Sequence, residues 1–98
     1  MSEPELTPEQ LIEAIKEMKV SDLVVSTVMT LAQLAYAKLD EGTRDLDQAR
    51  LAIESLRALV PLLEGHVAAE VMRDLSAMVA NVQLAYASAA APPSPPVD

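Results

Sequence analysis

The apolar residues of this chain recur at intervals of three and four, which is the spacing of a helix with one buried face. Thr7, Pro8 and Gln10 begin a capping-box sequence, in which the threonine and glutamine side chains satisfy backbone N–H groups and proline takes the first helical position. The pattern predicts a short amphipathic helix over residues 8–19. Its apolar stripe comprises Leu11, Ile12, Ile15 and Met18.

A second helix is predicted over residues 22–39, with Ser21 as its N-cap. Two apolar stripes run along this helix at helical spacing. One contains Val24, Val28, Leu31 and Ala35, and the other contains Val25, Met29, Ala32, Tyr36 and Leu39. Because a helix that is apolar around most of its circumference needs cover on several sides, this helix is either the centre of the fold or a contact with another subunit.

Gly42 predicts a left-handed turn after the second helix, and Asp45 followed by Gln48 is a start signal for a third. The third helix is predicted over residues 46–64. Its apolar positions are spaced as in a coiled-coil seam and comprise Leu46, Ala49, Ile53, Leu56, Val60 and Leu63. Because Pro61 removes one helix hydrogen bond, we expect a kink there, or an end near Val60 with a new turn to Glu64.

A fourth helix is predicted over residues 66–88, after a break at Gly65. Its main stripe contains Val67, Val71, Leu75, Met78, Val82 and Ala85, and a second stripe contains Met72, Val79 and Tyr86. The sequence therefore predicts an all-α fold, a small bundle of three long helices plus a short N-terminal helix, in one domain over residues 7–88. Residues 1–6 are predicted to be a disordered acidic arm, and residues 89–98 a disordered tail rich in Ala and Pro.

The pentapeptide Gln-Leu-Ala-Tyr-Ala occurs twice, at residues 33–37 and 83–87. A duplicated helical hairpin would explain this repeat, and so would chance in Ala-rich helices. Small residues along the second and fourth helices allow a close approach of their axes, so we expect these two helices to be the tightest pair. Gln33 and Gln83 either pair with one another across that contact or lie on an exposed strip.

The composition favours a helical, cytoplasmic protein and argues against several function classes. Only 2 of the 98 residues are glycine, too few for a tight turn at every strand end, and the absence of cysteine excludes disulfides and thiolate metal sites. A net charge of -8 and only two aromatic residues oppose binding to nucleic acid. The longest charge-free stretch within the predicted domain, residues 23–37, is shorter than the ~20 residues of a membrane span. Acidic rather than basic residues follow Met1, so no export signal is indicated.

One set of residues, His66, Glu70 and Asp74, has a spacing that would place three metal ligands on a shared helix face. Three ligands of mixed type are a weak match to known metal sites, and a solvated helix start is the better interpretation. A catalytic serine or threonine needs a neighbouring base, and the chain has only one histidine and no glycine-rich nucleophile elbow. No nucleophile can therefore be assigned. We therefore predict no enzymatic activity, no catalytic residues, and no metal or other cofactor.

A pattern in the second half of the chain resembles a known family. It comprises Ala49, Ile53-Glu54, Leu56 and Leu59, then Gly65-His66-Val67, Glu70 and a helix that ends at Tyr86. In this pattern the chain is similar, over about residues 20–86, to DUF1844, a small bacterial family of unknown function. The resemblance implies a helical fold, a bacterial cytoplasmic setting and no established activity. Genes of that family are sometimes near translation genes in actinobacteria, which implies a link to translation.

The apolar excess on the second and fourth helices predicts a protein that acts by binding. We expect a non-enzymatic helical protein that self-associates, most simply as a dimer, through two stripes of these helices. The expected interface comprises Val25, Met29, Ala32, Ala35, Tyr36, Met72, Val79, Gln83 and Tyr86. The alternative is an adaptor that buries this surface against another cytoplasmic protein, with a link to translation.

Overall fold

The computed structural model describes residue 5 and residues 7–91, and the fold in this range is all-α. The four α-helices are α1 (Pro8–Glu17), α2 (Val20–Leu39), α3 (Leu46–Leu59) and α4 (Ala69–Ala90). Two short 3-10 helices, Glu41–Thr43 and Val60–Leu63, lie before and after α3. The predicted acidic arm lies outside the described residues except for Glu5, and so do residues 92–98 of the predicted tail.

The helices α2, α3 and α4 form a bundle around one apolar core. The short connection between α2 and α3 makes these two helices antiparallel neighbours. The C-terminal ends of α2 and α4 line one cleft, which shows that these two helices run in the same direction. The predicted all-α bundle with a short N-terminal helix is thus confirmed.

The expectation that α2 and α4 are the tightest pair is wrong, because α2 packs most extensively against α3. The reason is that α3 also contributes small residues to the contact. Ala49 and Ala52 of α3 are buried, as are Ala32 and Ala35 of α2. Alanines on both sides let the axes of α2 and α3 approach closely.

The core is entirely apolar in the part of the chain that the structure describes. Its buried residues are Val28, Ala32, Ala35, Leu39, Ala49, Ala52, Ile53, Leu56, Val60, Leu63, Leu75 and Val82. The predicted seam of α3 is confirmed from Ala49 to Leu63, and Leu46 at its start is half-buried. On α2 no residue of the stripe through Val28 and Ala35 is exposed, whereas the other stripe has both buried residues, Ala32 and Leu39, and exposed ones.

Two polar start signals act as the sequence predicts. In the α1 capping box, the Gln10 backbone N–H donates to Thr7 Oγ1 at 3.1 Å, and the Thr7 N–H donates to Gln10 Oε1 at 3.0 Å. The Asp45 carboxylate likewise accepts the Gln48 backbone N–H at 3.2 Å at the start of α3. These bonds satisfy N–H groups that have no partner within their helices.

Two other helices begin where no side chain caps them. Lys19 is the N-cap of α2 and Ala68 is the N-cap of α4, and neither makes a side-chain capping bond. Ser21 lies inside the first turn of α2, so its prediction as N-cap is wrong. The chain is extended at Met18 and Lys19, and the helix resumes at once after them.

The connection from α3 to α4 follows one of the two expectations for Pro61. The α-helix ends at Leu59 and the chain continues as a 3-10 helix to Leu63. Gly65 then takes a φ of +85°, a conformation that residues with a Cβ rarely adopt. The chain needs three more residues to re-enter a helix, so α4 begins at Ala69 and not at His66.

Two further expectations need correction. Gly42 lies in the 3-10 helix Glu41–Thr43, and Gly65 is the glycine with positive φ in the described range, so the left-handed turn predicted at Gly42 is wrong. The chain leaves α2 through an extended Asp40 instead. Ala89 and Ala90 belong to α4 and not to the predicted tail. Alanine favours the helical conformation, so the helix continues until the chain nears its prolines.

Candidate interaction surface

Helix α1 lies apart from the bundle. None of its residues is buried, and it packs against no other helix in the described part of the chain. Its apolar stripe is consequently open, with Leu11, Ile12, Ile15 and Met18 each between 50% and 58% exposed. Isolated helices shorter than ~12–15 residues are marginal in water, so this ten-residue helix is only weakly stable by itself.

The uncovered apolar area continues from α1 onto the bundle. Ile15, Met18, Val20 and Leu23 line one shallow depression, and Val20, Val24 and Leu62 line the adjoining one. Val20 is 75% exposed and Leu62 is 68% exposed. We call this area the open surface, and it comprises Leu11, Ile12, Ile15, Met18, Val20, Leu23 and Leu62.

The interface predicted from the sequence is divided by the structure. Ala32 and Ala35 are buried in the core of the single chain, which corrects their assignment to an interface between chains. Four others, Val25, Met72, Val79 and Tyr86, are half-buried and pack against that core. Gln83 is also half-buried. Met29 and Tyr36 remain exposed at the edge of the bundle.

The open surface was overlooked at the sequence level, although its pattern was visible. The stripe from Leu11 to Met18 predicts an amphipathic helix, and such a stripe ordinarily faces the core of its own chain. The spacing of apolar residues does not show whether that face packs against the bundle of its own chain. Only the placement of α1 in space shows that it does not.

A second concavity lies where α2 and α4 end together. Its lining includes Tyr36 and Ala37 from the first copy of the repeated pentapeptide and Ala85 from the second, and its volume is about 820 Å³. Arg44 at its rim is held by the backbone, because Nε and Nη2 both donate to the Leu39 carbonyl at 3.2 and 3.0 Å. This cleft is open and wide, and no described side chain in it combines burial with a free polar group.

The repeated glutamines are not paired with one another among the described hydrogen bonds. Gln33 is exposed on α2, and Gln83 is half-buried on α4. Gln83 lies in a groove with Arg57 and Val60 of the α3 end, on the flank of α4 that faces α3. Gln33 therefore lies on an exposed strip, which is one of the two predicted alternatives, whereas Gln83 lies at the edge of the core.

The polar side chains offer no cluster on which a reaction can be built. Over residues 5 and 7–91, no three His, Asp or Glu side chains lie close enough to hold a metal ion. His66 precedes α4 and therefore does not continue the helix face that carries Glu70 and Asp74. The hydroxyls of Thr27 and Thr30 donate to the carbonyls of the preceding turn, at 2.8 and 3.0 Å. The open surface is thus the feature from which a function can be argued.

One described helix, Val20–Leu39, has the length and composition of a membrane-spanning helix. Its most apolar stretch has a mean hydropathy of 1.3, and its position is near the N-terminus. A mostly buried core helix of a soluble protein meets the same criteria, and in this chain 17% of that stretch is buried. Its composition is therefore weak support for a membrane span.

Comparison with known proteins does not connect this geometry to an established activity. No family model matches the chain, and neither a curated protein nor a solved structure matches it. The resemblance to DUF1844 therefore stays a prediction.

Proposed function

We propose that this chain is a non-enzymatic helical protein that binds a second copy of itself through the open surface. The observation that carries the proposal is the detachment of α1, an amphipathic helix that contributes no residue to the core and whose apolar stripe is at least half exposed. Water opposes the exposure of such a stripe, and burial against a second chain removes that cost.

The size of the open surface supports a dimer. At about 25 cal/mol per Å², the burial of one such side chain corresponds to roughly 100 Å², so the seven residues present roughly 700 Å². One partner of a standard interface contributes about 800 Å². The area is thus close to what a stable contact between two chains requires.

The proposed contact lies on the open surface and not on the stripes of α2 and α4 that the sequence predicted. Two of the expected interface residues, Ala32 and Ala35, already serve the core of one chain, and five more are half-buried. Met29 and Tyr36 are still accessible, each 44% exposed. The central residues of the proposed contact are those of α1.

Sedimentation of the full chain tests this proposal. We expect a concentration-dependent dimer over roughly 1–100 μM, the range in which a modest apolar interface associates. Ile15→Lys should yield a monomer with nearly unchanged thermal stability of the bundle, because Ile15 is 58% exposed and lies outside the core. Glu17→Lys, which adds the same side chain on the opposite side of α1, is the matched control and should dimerise normally.

A wild-type chain that stays monomeric throughout this range would contradict the proposal. An Ile15→Lys chain that dimerises as strongly as the wild type would place the contact elsewhere on the molecule.

A second candidate function is an adaptor for a different, basic protein, with the link to translation that the family resemblance implies. The net charge of -8 and the acidic side of α1, with Glu9, Glu13 and Glu17, favour a basic partner. This function is supported if the wild type is monomeric and a basic host protein, purified and added back, binds wild-type chain but not Ile15→Lys.

A further inference from the structure

We infer that the two α1 helices of the dimer pack antiparallel, with Glu9 of each copy opposite Lys16 of the other. The inference rests on the proposed self-association and specifies its geometry. It follows from the distribution of charge along one edge of the apolar stripe.

Glu9, Ile12 and Lys16 lie along the same edge of α1. With 3.6 residues per turn, Glu9 and Lys16 are separated by seven residues and point only about 20° apart around the helix. They are about 10 Å apart along the axis, with Ile12 of the stripe between them. This edge is therefore negative near the start of α1, apolar in the middle and positive near its end.

An antiparallel pair makes this edge complementary to itself. A two-fold axis near Ile12 places Glu9 of one copy beside Lys16 of the second, and the same contact occurs again on the other side of the axis. A parallel pair related by a two-fold axis places this edge of the two copies on opposite sides of the contact, so neither Glu9–Lys16 pair forms. The antiparallel arrangement also sets the positive end of each helix dipole near the negative end of the other.

Lys16 is available for such a contact. Its ammonium group lies 3.7 Å from Glu13 Oε1 in its own helix, and both side chains are about two-thirds exposed. Exposed pairs of this kind contribute little to stability, so Lys16 can turn to a partner at small cost.

A second copy fits this surface better than a lipid surface does. The polar side of α1 carries Glu9, Glu13 and Glu17 against Lys16, and an anionic membrane repels such a helix. Burying all four stripe residues of α1 corresponds to roughly 400 Å² per chain, about half of a standard interface. The pair of α1 helices is therefore the centre of the proposed contact and not the whole of it.

Cross-linking between single-cysteine chains tests the orientation directly, because the natural sequence contains no cysteine. Chains with Glu9→Cys and chains with Lys16→Cys, distinguished by a mass tag, are mixed and treated with a short bis-maleimide. We expect abundant linkage between the two kinds of chain, and little when either is treated alone. Asn81→Cys, on the exposed side of α4, measures random collision.

Charge reversal provides a second measurement. Glu9→Lys and Lys16→Glu should each weaken the dimer roughly two- to twenty-fold, because two exposed ion pairs at up to ~1 kcal/mol each become repulsive contacts. An equimolar mixture of the two variants should recover dimer, since every facing pair is then of opposite sign. The Glu17→Lys chain again serves as the control.

The outcomes separate the two proposals. A monomeric wild type overturns the self-association and this inference with it. A wild-type dimer in which Glu9→Cys chains link efficiently among themselves overturns the antiparallel arrangement alone. A dimer that neither charge reversal weakens also overturns it.

Discussion

At the scale of single residues, position on a helix decides burial more than hydrophobicity does. Leu56 is fully buried, whereas Leu51, on the same helix, is 58% exposed. Ala35 is also fully buried although alanine is only weakly apolar, because the small side chain lies where α2 meets its neighbours. The core therefore consists of residues whose side chains point into the bundle, and these are not always the most apolar residues.

Leu56→Ala should destabilise the bundle strongly. Truncation of a buried leucine costs about 2–5 kcal/mol, out of a total near ~5–15 kcal/mol for a small domain, because it removes apolar contacts and leaves a cavity. Leu51→Ala is the matched control and should change the free energy of unfolding by less than about 0.5 kcal/mol. Urea unfolding followed by circular dichroism measures both, and similar losses for the two variants would show that α3 is rotated from its observed position.

Ala35→Asp should unfold the chain rather than dissociate a dimer. Ala35 has no exposed surface and its neighbours are apolar, so an added carboxylate has no partner and several kcal/mol of stability are lost. Ala37→Asp places the same group on the exposed side of α2. Thermal melts read together with sedimentation distinguish the effects: a well-folded Ala35→Asp monomer would show that this position lies between chains.

At the scale of elements, the signals that act locally are the ones that the sequence reveals. Thr7 and Asp45 cap their helices with their own side chains, and Pro61 and Gly65 interrupt the chain through their backbone chemistry. The starts of α2 and α4 carry no capping side chain, so sequence reasoning placed them two or three residues away. A helix start without a local signal is decided by the packing of the helix that follows.

Backbone amides of α1 should exchange with solvent as a function of protein concentration. In a monomer this helix has only its capping box and its internal hydrogen bonds, so we expect little protection for residues 8–17. Protection should rise as the dimer forms, whereas the core residues of α2 and α3 stay protected throughout. Hydrogen exchange by mass spectrometry at two concentrations measures this, and equal protection of α1 at both would contradict the proposed contact.

At the scale of the whole molecule, the balance of apolar area and charge selects the kind of partner. The open surface is apolar, and the chain around it carries a net charge of -8. Such a molecule repels other strongly acidic surfaces and accepts an apolar surface that has basic groups at its edge. A second copy has the same net charge of -8 and meets this requirement only locally, where Lys16 lies beside the stripe.

The full chain should not bind anionic lipid vesicles at physiological salt. Repulsion from the negative surface potential opposes insertion of α1, and insertion of α2 would first require opening the core that contains Val28 and Ala35. Co-sedimentation with vesicles of phosphatidylserine and phosphatidylcholine measures this, with pure phosphatidylcholine as the uncharged comparison. Binding to either vesicle would revive the interpretation of Val20–Leu39 as a membrane-associated helix.

The sequence by itself determined the fold class, the number of helices, the capped helix starts and the seam of α3. These features depend on interactions between residues that are close along the chain, such as Thr7 with Gln10, or on a regular spacing such as that of Ile53 and Leu56. Only the tertiary structure decided which apolar stripe is covered. Whether a stripe is covered depends on how close another helix lies to it. The same apolar spacing occurs around Leu56, which is buried, and around Ile15, which is exposed.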